Sequence, residues 1–341
     1  MQVSVVGLDL AKNVFQVHAI DERGAVVVNK QLRRSSLLKF FADLDPCLIG
    51  MEACATSHYW ARELVAIGHE VRLMPASYVK PYVKRGKNDA LDAEAIAEAV
   101  TRPTMRFVAI KGEDQQSILV LHRTRDLLMR QRTALVNALR AHLAEFGIIA
   151  PAGVKKLAEL MANLAEVEHR LPDALIEAVG EIAAQIADIE ARVYKLEKRL
   201  SAWTKSNAVA RRLSSVPGIG PITASAIAAT VTDPGYFRSA RQFAAWIGLT
   251  PLQNSSGGKE RLGRISKKGD RYLRKLLVVG ASAVIRYARQ RGGPRAAWVQ
   301  NLLDKKPVRV VQVALANKMA RIAWAVMKKE ESYQPGLSGA I

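Results

Sequence analysis

The sequence predicts an α/β domain over residues 1–112, a helical coiled-coil segment over 113–205 and a mostly α-helical domain over 206–341. Strand-like and helix-like patterns alternate in the first part, and a long heptad pattern occupies the second. The third part carries the charge: Lys and Arg outnumber Asp and Glu by 51 to 31 in the 341-residue chain, but by 23 to 6 after residue 205. This uneven distribution indicates a nucleic-acid surface in the last third.

The first part begins with three apolar runs that favour β-strands, of which the second and third are joined by the turn sequence DERG. Helical and strand-like segments then alternate. The predicted strands are 3–10, 13–20, 25–32, 47–53 and 70–75, and the predicted helices are 36–44, 58–67 and one that begins within 87-KNDALDAEAIAEAV-100. Three meandering strands followed by alternating helices and strands predict a mixed, partly antiparallel sheet.

The middle segment contains a predicted helix over 113–147, a break at 149–156, and a second helix with a continuous apolar seam. The seam residues are Leu175, Val179, Ile182, Ile186, Ile189, Val193, Leu196 and Leu200. Apolar a and d positions over nearly four heptads favour a coiled coil that associates in pairs. The alternative is an intramolecular hairpin with the preceding helix, in which Arg125 and Arg132 would occupy unfavourable seam-like positions.

The last third contains two features that suit nucleic-acid contact. In 215-SVPGIGPITA-224, Gly218 and Gly220 resemble the turn of a helix-hairpin-helix element, whose backbone N–H groups approach phosphate. A solvated surface is the usual explanation of a charge run, but residues 259–275 are too uniformly basic for it. The basic residues of this segment are Lys259, Arg261, Arg264, Lys267, Lys268, Arg271, Arg274 and Lys275.

Four carboxylates form a candidate metal site. Asp9 and Glu52 end two strands that are neighbours in a ribonuclease-H-like strand order, and Asp89 and Asp92 share one face of the following helix. Four oxygen donors suit Mg²⁺ or Mn²⁺, and two such ions about 4 Å apart can support phosphodiester chemistry. Alternatively, Asp89 is simply a helix N-cap with an acid three residues later.

A serine pair precedes the basic segment, in 255-SSGGK-259. A serine on a glycine turn among cations could attack phosphorus, with the cations stabilising the transition state. A solvent-exposed loop explains Ser and Gly equally well, and chemistry alone favours that explanation.

The chain shows no sign of export or membrane insertion. Cys47 and Cys54 have no metal-ligand spacing, the N-terminal stretch lacks a basic lead, and the apolar run 276–285 is too short to span a bilayer. We therefore expect a reduced, soluble, intracellular protein.

Five segments together resemble one family over essentially the whole chain. GLDLAKNVFQVH, GMEACATSHYW, KNDALDAEAIA, SVPGIGPITA and TPLQNSSGGKERLGRISKKGDRYLRK resemble the DEDD transposases of bridge-RNA-guided insertion sequences, which are relatives of the Piv-type DNA invertase. The resemblance implies a RuvC-like domain of RNase H fold that carries the tetrad Asp9, Glu52, Asp89 and Asp92. It also implies a nucleophilic serine in the C-terminal domain, which corresponds to Ser256 or, failing that, Ser255.

The resemblance further implies the partners and the reaction. The partners would be donor and target DNA, a noncoding bridge RNA that pairs with both, and a second protomer, with homodimers assembling to a tetramer on DNA. The expected function is RNA-guided, metal-dependent DNA strand cleavage and exchange in the cytoplasm, on the nucleoid, with no membrane partner. The alternatives are a RuvC-like junction nuclease that uses water as nucleophile, and a non-catalytic nucleic-acid-binding protein.

Overall fold

The computed structural model describes residues 2–84, 86, 88–149, 153, 157–254, 257–259, 261–291 and 294–334. The chain divides into two compact units, Met1–Gln116 and Ser117–Ile341. Each unit has its own apolar core.

The first unit is built on a five-stranded mixed sheet, as the sequence predicts. Its strands are β1 Val5–Asp9, β2 Val14–Ile20, β3 Val26–Arg33, β4 Leu48–Glu52 and β5 Glu70–Met74. The order across the sheet is β3-β2-β1-β4-β5. Strand β2 is antiparallel to both β1 and β3, whereas β1, β4 and β5 run parallel. The hairpin predicted at DERG joins β2 and β3.

Four helices accompany this sheet: α1 Leu37–Ala42, α2 Ser57–Ala66, α3 Ala76–Val79 and α4 Asp89–Val100. The core on one side of the sheet contains Phe15, Phe41 and Trp60, and helix α4 contributes Ile96 and Val100 to a second apolar cluster. Burial of these aromatic and branched side chains provides the main stabilisation of the unit.

The second unit is mostly helical. Its helices are α5 Glu113–Ala144, which begins before the unit boundary, α6 Leu157–Val167, α7 Asp173–Ser206, α8 Ala208–Leu213, α9 Pro221–Thr230, α10 Ala240–Trp246, α11 Arg271–Arg291, α12 Pro294–Leu303 and α13 Val308–Lys329. The short strands β6 Pro251–Gln253 and β7 Leu262–Ile265 form an antiparallel pair that the sequence pattern does not predict. The apolar run 276–285 lies inside α11.

Helices α5 and α7 form an antiparallel hairpin, so the apolar seam of α7 is covered within the chain. All eight seam residues are buried or half-buried, and Val179 and Ile186 share a cluster with Leu139 of α5. The hairpin alternative is therefore confirmed, whereas association of protomers through residues 113–205 stays a prediction.

The two arginines that seemed to oppose the hairpin instead stabilise it. Arg125 forms an ion pair with Glu197 at 2.6 Å, and Arg132, one heptad later, forms an ion pair with Glu190 at 2.7 Å. Both arginine side chains are mostly buried, and both cross from α5 to α7. A planar guanidinium that meets a carboxylate at the edge of an apolar seam is a favourable arrangement, because its alkyl stem packs while its charge is paired.

One helix in the described part of the chain, α13, is long and apolar enough to cross a membrane by length and composition. However, 56% of its apolar window is buried inside the protein. Leu315, Met319 and Ala323 of this helix belong to the core of the second unit. The core of the unit thus accounts for the apolar composition of α13.

Candidate metal centre and nucleic-acid surface

Asp9 and Glu52 are the last residues of the adjacent parallel strands β1 and β4. Gly7 and Gly50, which lie two residues before these acids, are directly opposite each other in the pairing of the two strands. Side chains two residues apart in a strand point to the same face of the sheet. The two acids and the two glycines therefore share one face.

Helix α4 lies directly against the two glycines. A Cβ atom at Gly7 would overlap the carbonyl oxygen of Ala93, and one at Gly50 would lie 2.8 Å from the Cβ of Val100. Only glycine permits this close approach of helix backbone to sheet, and alanine at positions 93 and 97 keeps the facing side of the helix small. The contact fixes the N-terminal end of α4 near the ends of β1 and β4.

Asn88, and not Asp89, is the N-cap of α4. Its side-chain oxygen accepts a hydrogen bond from the backbone N–H of Ala90 at 3.0 Å. Asp89 and Asp92 are consequently the first and fourth helical residues, and the alternative that made Asp89 the cap is wrong by one position. Because the cap is supplied by Asn88, the two acids remain available at the positive end of the helix dipole.

Three of the four predicted acids converge. The carboxylate oxygens of Asp9, Asp89 and Asp92 lie within 4.8 Å of one another. Burial raises the pKa of Asp9, and the charges of Asp92 and Asp89 raise it further. Glu52 lies outside this group of three, but the charges of Asp9 and Asp92 still add to the effect of burial in raising its pKa. Glu52 is therefore a close neighbour of the cluster.

The donor set fits a divalent cation. Three hard carboxylate oxygens at this separation repel one another, and this repulsion adds to the larger effect of burial in raising the pKa of Asp9. A small cation with two positive charges would remove the repulsion, and oxygen donors of this kind are those that Mg²⁺ and Mn²⁺ prefer. The positioning residues Gly7, Gly50 and Asn88 were not predicted, although a glycine two residues before each strand-end acid was visible in the sequence.

The serine pair lies in the connection between β6 and β7. Ser255 and Ser256 themselves fall outside the described residues. Gly257 and Gly258, which follow them, have φ values of +57° and +76°, in the left-handed region that glycine adopts without strain. The described part of this connection is exposed.

The base of the β6–β7 hairpin is clamped by glycines and one arginine. A Cβ atom at Gly248 would overlap the backbone of Lys268, and one at Gly269 would overlap the carbonyl oxygen of Trp246. Arg274 donates hydrogen bonds to the carbonyl oxygens of Ile247 at 2.6 Å and Lys268 at 3.0 Å. Arg274 thus has a structural role that the count of basic residues does not reveal.

Buried polar contacts attach the start of α11 to the rest of the second unit. His122 of α5 lies 3.1 Å from the hydroxyl of Tyr272 and 3.1 Å from the hydroxyl of Ser225 in α9. Burial, with a smaller effect of Arg125, lowers the pKa of His122 to about 4, so its ring is neutral near pH 7. These contacts hold the first turn of α11, where the basic segment enters the helix.

Most of the predicted cations point into solvent. The exposed members of the set are Lys259, Arg261, Arg264, Lys267, Lys268 and Arg271. Lys275 is also exposed, but it forms an ion pair with Asp126 at 2.8 Å. An exposed, one-signed run on a supported hairpin has the charge distribution expected for contact with a phosphate backbone.

The glycine turn between α8 and α9 has a packing role. Gly218 has φ +85°, and a Cβ there would lie 2.7 Å from Met319 and 2.8 Å from Val284. Gly218 and Gly280 of α11 also approach each other closely, so a Cβ atom on either residue would force the backbone to move. Gly220 is exposed at the N-cap of α9, with no atom near the position of a Cβ, so it alone of the two predicted glycines presents an open surface.

Two family models match the chain. One, described as "Transposase IS116/IS110/IS902 family", matches residues 210–294, and a DEDD transposase model for IS110 elements, described as "Transposase", matches residues 6–148. The first range includes the glycine turn and the basic segment. The second includes all four predicted acids.

Full-length relatives agree with the two models. The chain is 50% identical to a "Probable family 20 transposase" of Pseudomonas aeruginosa over 98% of its length and 100% of that protein. It is 41% identical to the "Transposase for insertion sequence element IS1328" of Yersinia enterocolitica, over 95% of its length and 96% of that protein. It is 37% identical to the "Transposase for insertion sequence element IS1111A" of Coxiella burnetii, over 98% and 92%. The chain therefore belongs to the IS116/IS110/IS902 family of transposases.

Proposed function

We propose that this transposase performs RNA-guided, metal-dependent DNA strand cleavage and exchange with a serine nucleophile. Membership of the family already implies DNA as substrate, transposition as the activity and a need for a divalent metal. The observation that carries the finer proposal is the convergence of the Asp9, Asp89 and Asp92 carboxylates within 4.8 Å. The strand order β3-β2-β1-β4-β5, with acids at the ends of β1 and β4, supports a RuvC-like RNase H fold for residues 1–112.

Asp9, Asp89 and Asp92 would hold Mg²⁺ or Mn²⁺, with Glu52 as the fourth acid. The bound ion would supply a Lewis acid that stabilises the negative charge developing on a scissile phosphate. Asp9 is fixed by strand β1, and Asp89 and Asp92 are fixed by the first turn of α4. The close packing of α4 on Gly7 holds these elements in place, which favours the precise geometry that phosphoryl transfer requires.

Ser256 would attack the DNA backbone, and Ser255 is its alternative. The Oγ–phosphorus bond forms as one bridging phosphorus–oxygen bond of the strand breaks. The strand end leaves with that oxygen as a hydroxyl, so the proton that the serine loses is balanced by the one that the leaving oxygen gains. The energy of the phosphodiester is kept in the phosphoserine link, so a second strand end can restore the DNA without an external energy source. The exposed cations of 259–271 would stabilise the added negative charge.

A noncoding bridge RNA would select donor and target by base pairing, and the protein would bind backbone and shape. The exposed cations and Gly220 are the residues suited to that contact. Homodimers would assemble to a tetramer on DNA, in the cytoplasm and on the nucleoid. In the proposed organisation, residues 113–205 mediate association and residues 206–341 form the transposase domain. Because the α7 seam is covered, association would use outer residues such as Tyr194, which is 68% exposed.

The test compares Ser256→Ala with the matched control Ser255→Ala in a strand-exchange assay with RNA, donor and target DNA. We expect Ser256→Ala to abolish exchange while RNA and DNA binding persist, and Ser255→Ala to retain exchange. A trapped substrate should yield a covalent protein–DNA adduct with the wild type and none with Ser256→Ala. The reversed pattern would assign the nucleophile to Ser255.

The same assay separates the proposal from its alternatives. Metal-dependent cleavage that survives both serine substitutions and gives no adduct would identify a RuvC-like junction nuclease with water as nucleophile. This alternative is favoured by the fact that the acid cluster is complete without any serine. The absence of any cleavage with Mg²⁺ or Mn²⁺ would leave a non-catalytic nucleic-acid-binding protein.

A further inference from the structure

Trp246 is a solvent-exposed aromatic residue at the C-terminal end of α10. The residue is 38% exposed, although tryptophan is highly buried on average. The indole stacks on the ring of Phe243, with 5.8 Å between centroids and an angle of 21° between planes. The ring centroid of Phe237 lies 5.3 Å from that of the indole. One side of the indole is thus supported by aromatic rings, while a substantial part of it faces water.

The support beneath Trp246 is rigid. Phe243 is fully buried in the core of the second unit, and Phe237 meets it edge-on with 5.0 Å between centroids. An indole that rests on a buried ring has little rotational freedom left to lose when a ligand binds. Rigid aromatic side chains for this reason bind flat ligands at low entropic cost.

Trp246 is joined directly to the basic hairpin. Its carbonyl oxygen lies against Gly269, and the carbonyl oxygen of the next residue, Ile247, accepts a hydrogen bond from Arg274. Lys267 and Lys268, which immediately precede Gly269, are exposed. The backbone of Trp246 therefore lies directly against the hairpin that carries these cations.

An aromatic platform beside a row of cations suits one kind of ligand. Single-stranded nucleic acid is bound by cations that contact the backbone and by aromatic rings on which unpaired bases stack. A base pair inside a duplex cannot stack in this way, because both of its faces are occupied by neighbouring pairs. Because the adjoining segment is basic, a negatively charged ligand is favoured here over an apolar partner.

We propose that Trp246 is a stacking platform for an unpaired nucleobase, and that the exposed cations of the adjacent hairpin bind the backbone of the same strand. The strand is the unpaired part of the RNA or of the opened DNA. This inference rests on the proposed function, because it uses the nucleic-acid surface assigned there. It adds a preference for single strands and the residue that produces it.

The test measures the affinity of the full-length chain for one sequence as single-stranded RNA, single-stranded DNA and duplex DNA. We expect Trp246→Leu to weaken single-strand binding by about 5- to 100-fold, the range typical of the loss of one stacked base. Duplex binding should be unchanged. Trp246→Phe should retain most of the affinity, because it keeps an aromatic face. The RNA and DNA arms show which strand is preferred.

Trp298→Leu is the matched control. Trp298 is 37% exposed, but the ammonium of Lys318 lies 4.5 Å from the centre of its ring and already covers a face. This variant should bind all three ligands as the wild type does. A strand that carries 2-aminopurine provides a direct readout, since its fluorescence should be quenched by the wild type and Trp298→Leu but not by Trp246→Leu.

A measurement on the wild type alone removes any dependence on the folding of variants. Replacing bases of the single strand by abasic sites should lower its affinity by a similar factor. Equal affinity for intact and abasic strands would overturn the inference, as would equal losses of single-strand and duplex binding in Trp246→Leu, or no single-strand binding at all. A wild-type protein that binds single strands in this way but exchanges no DNA would refute the proposed function and leave the inference standing.

Discussion

The acidic cluster and the basic hairpin are constructed in opposite ways. The acids lie at the end of a sheet where a helix packs without any side chain between, and burial raises the pKa of both Asp9 and Glu52. The cations lie on an exposed hairpin whose base is fixed by Arg274 and close glycine contacts. A metal site needs fixed donors at short distances, whereas a polyanion needs accessible charge.

The two regions are vulnerable to different substitutions. In the first, a small change in packing would move donors that must coincide within a few ångströms. In the second, removal of one exposed cation would weaken binding without altering the fold, whereas removal of Arg274 would alter the fold. The following variants separate these effects.

The largest expected effect on stability is that of Gly7→Ala. The added Cβ would overlap the carbonyl oxygen of Ala93, so α4 must shift away from the sheet. We expect a loss of roughly 2–4 kcal/mol, as for severe overpacking, together with loss of divalent-metal binding. Hydrogen exchange of the α4 backbone amides measures the free energy of local opening directly.

Gly112→Ala is the control for this substitution, since a Cβ at Gly112 would meet no atom within 4 Å. Its α4 amides should exchange as slowly as those of the wild type. If Gly7→Ala also left α4 exchange and metal binding unchanged, the close packing of helix on sheet would not be what positions the acids.

A smaller effect is expected for Arg274→Met, which removes the donor to two backbone carbonyls while keeping much of the apolar stem. We expect a loss of about 1–3 kcal/mol from the second unit, the usual cost of unsatisfied partly buried groups. The matched variant Arg271→Met, at an exposed position, should leave stability unchanged and weaken nucleic-acid binding. Thermal unfolding and salt-dependent binding assays would test this pair, and equal destabilisation by both variants would contradict the structural role of Arg274.

The smallest effect is a pH dependence of the metal-free protein. The pKa of Asp9 is raised above its ordinary value of 3.8, so the folded state holds this proton more tightly than the unfolded state. Stability is therefore lost as pH rises from about 4 through the folded pKa. The loss is about 1 kcal/mol or less, because solvent screens a half-exposed group.

In Asp9→Asn this part of the loss should disappear, which denaturant unfolding at pH 4 and pH 7 in a chelator would detect. A Mg²⁺-induced rise in the stability of the wild type at pH 7 should disappear as well.

Much of this architecture could be predicted from sequence. The alternation of strands and helices in the first unit, the four acids and the exposed cations all follow from local patterns, since hydrophobic periodicity and charge are properties of neighbouring residues. The functions of Gly7 and Gly50 could not be derived in that way, because they depend on which helix crosses the sheet. A glycine in a strand indicates a close approach but does not identify the approaching element.

The α7 seam shows the other limit. An unbroken apolar a and d pattern indicates that a helix packs against another apolar surface. The pattern is the same whether that surface belongs to another protomer or to α5. Arg125 and Arg132 oppose the hairpin on sequence grounds alone, but in the folded chain Glu197 and Glu190 lie opposite them and pair with them. Likewise, the N-cap is Asn88 and not Asp89, because the side-chain oxygen of Asn88 accepts the hydrogen bond from the backbone N–H of Ala90.

Asp9, Asp89 and Asp92 are proposed to form one divalent-metal site. Isothermal titration of Mn²⁺ into the full-length chain tests it most directly, with Asp45→Asn, which changes an exposed acid of the same unit, as the control. We expect the wild type and Asp45→Asn to bind alike, and Asp9→Asn to bind more than about 100-fold more weakly, beyond the loss that outer-shell partners cause. Unchanged Mn²⁺ affinity in Asp9→Asn would contradict the claim.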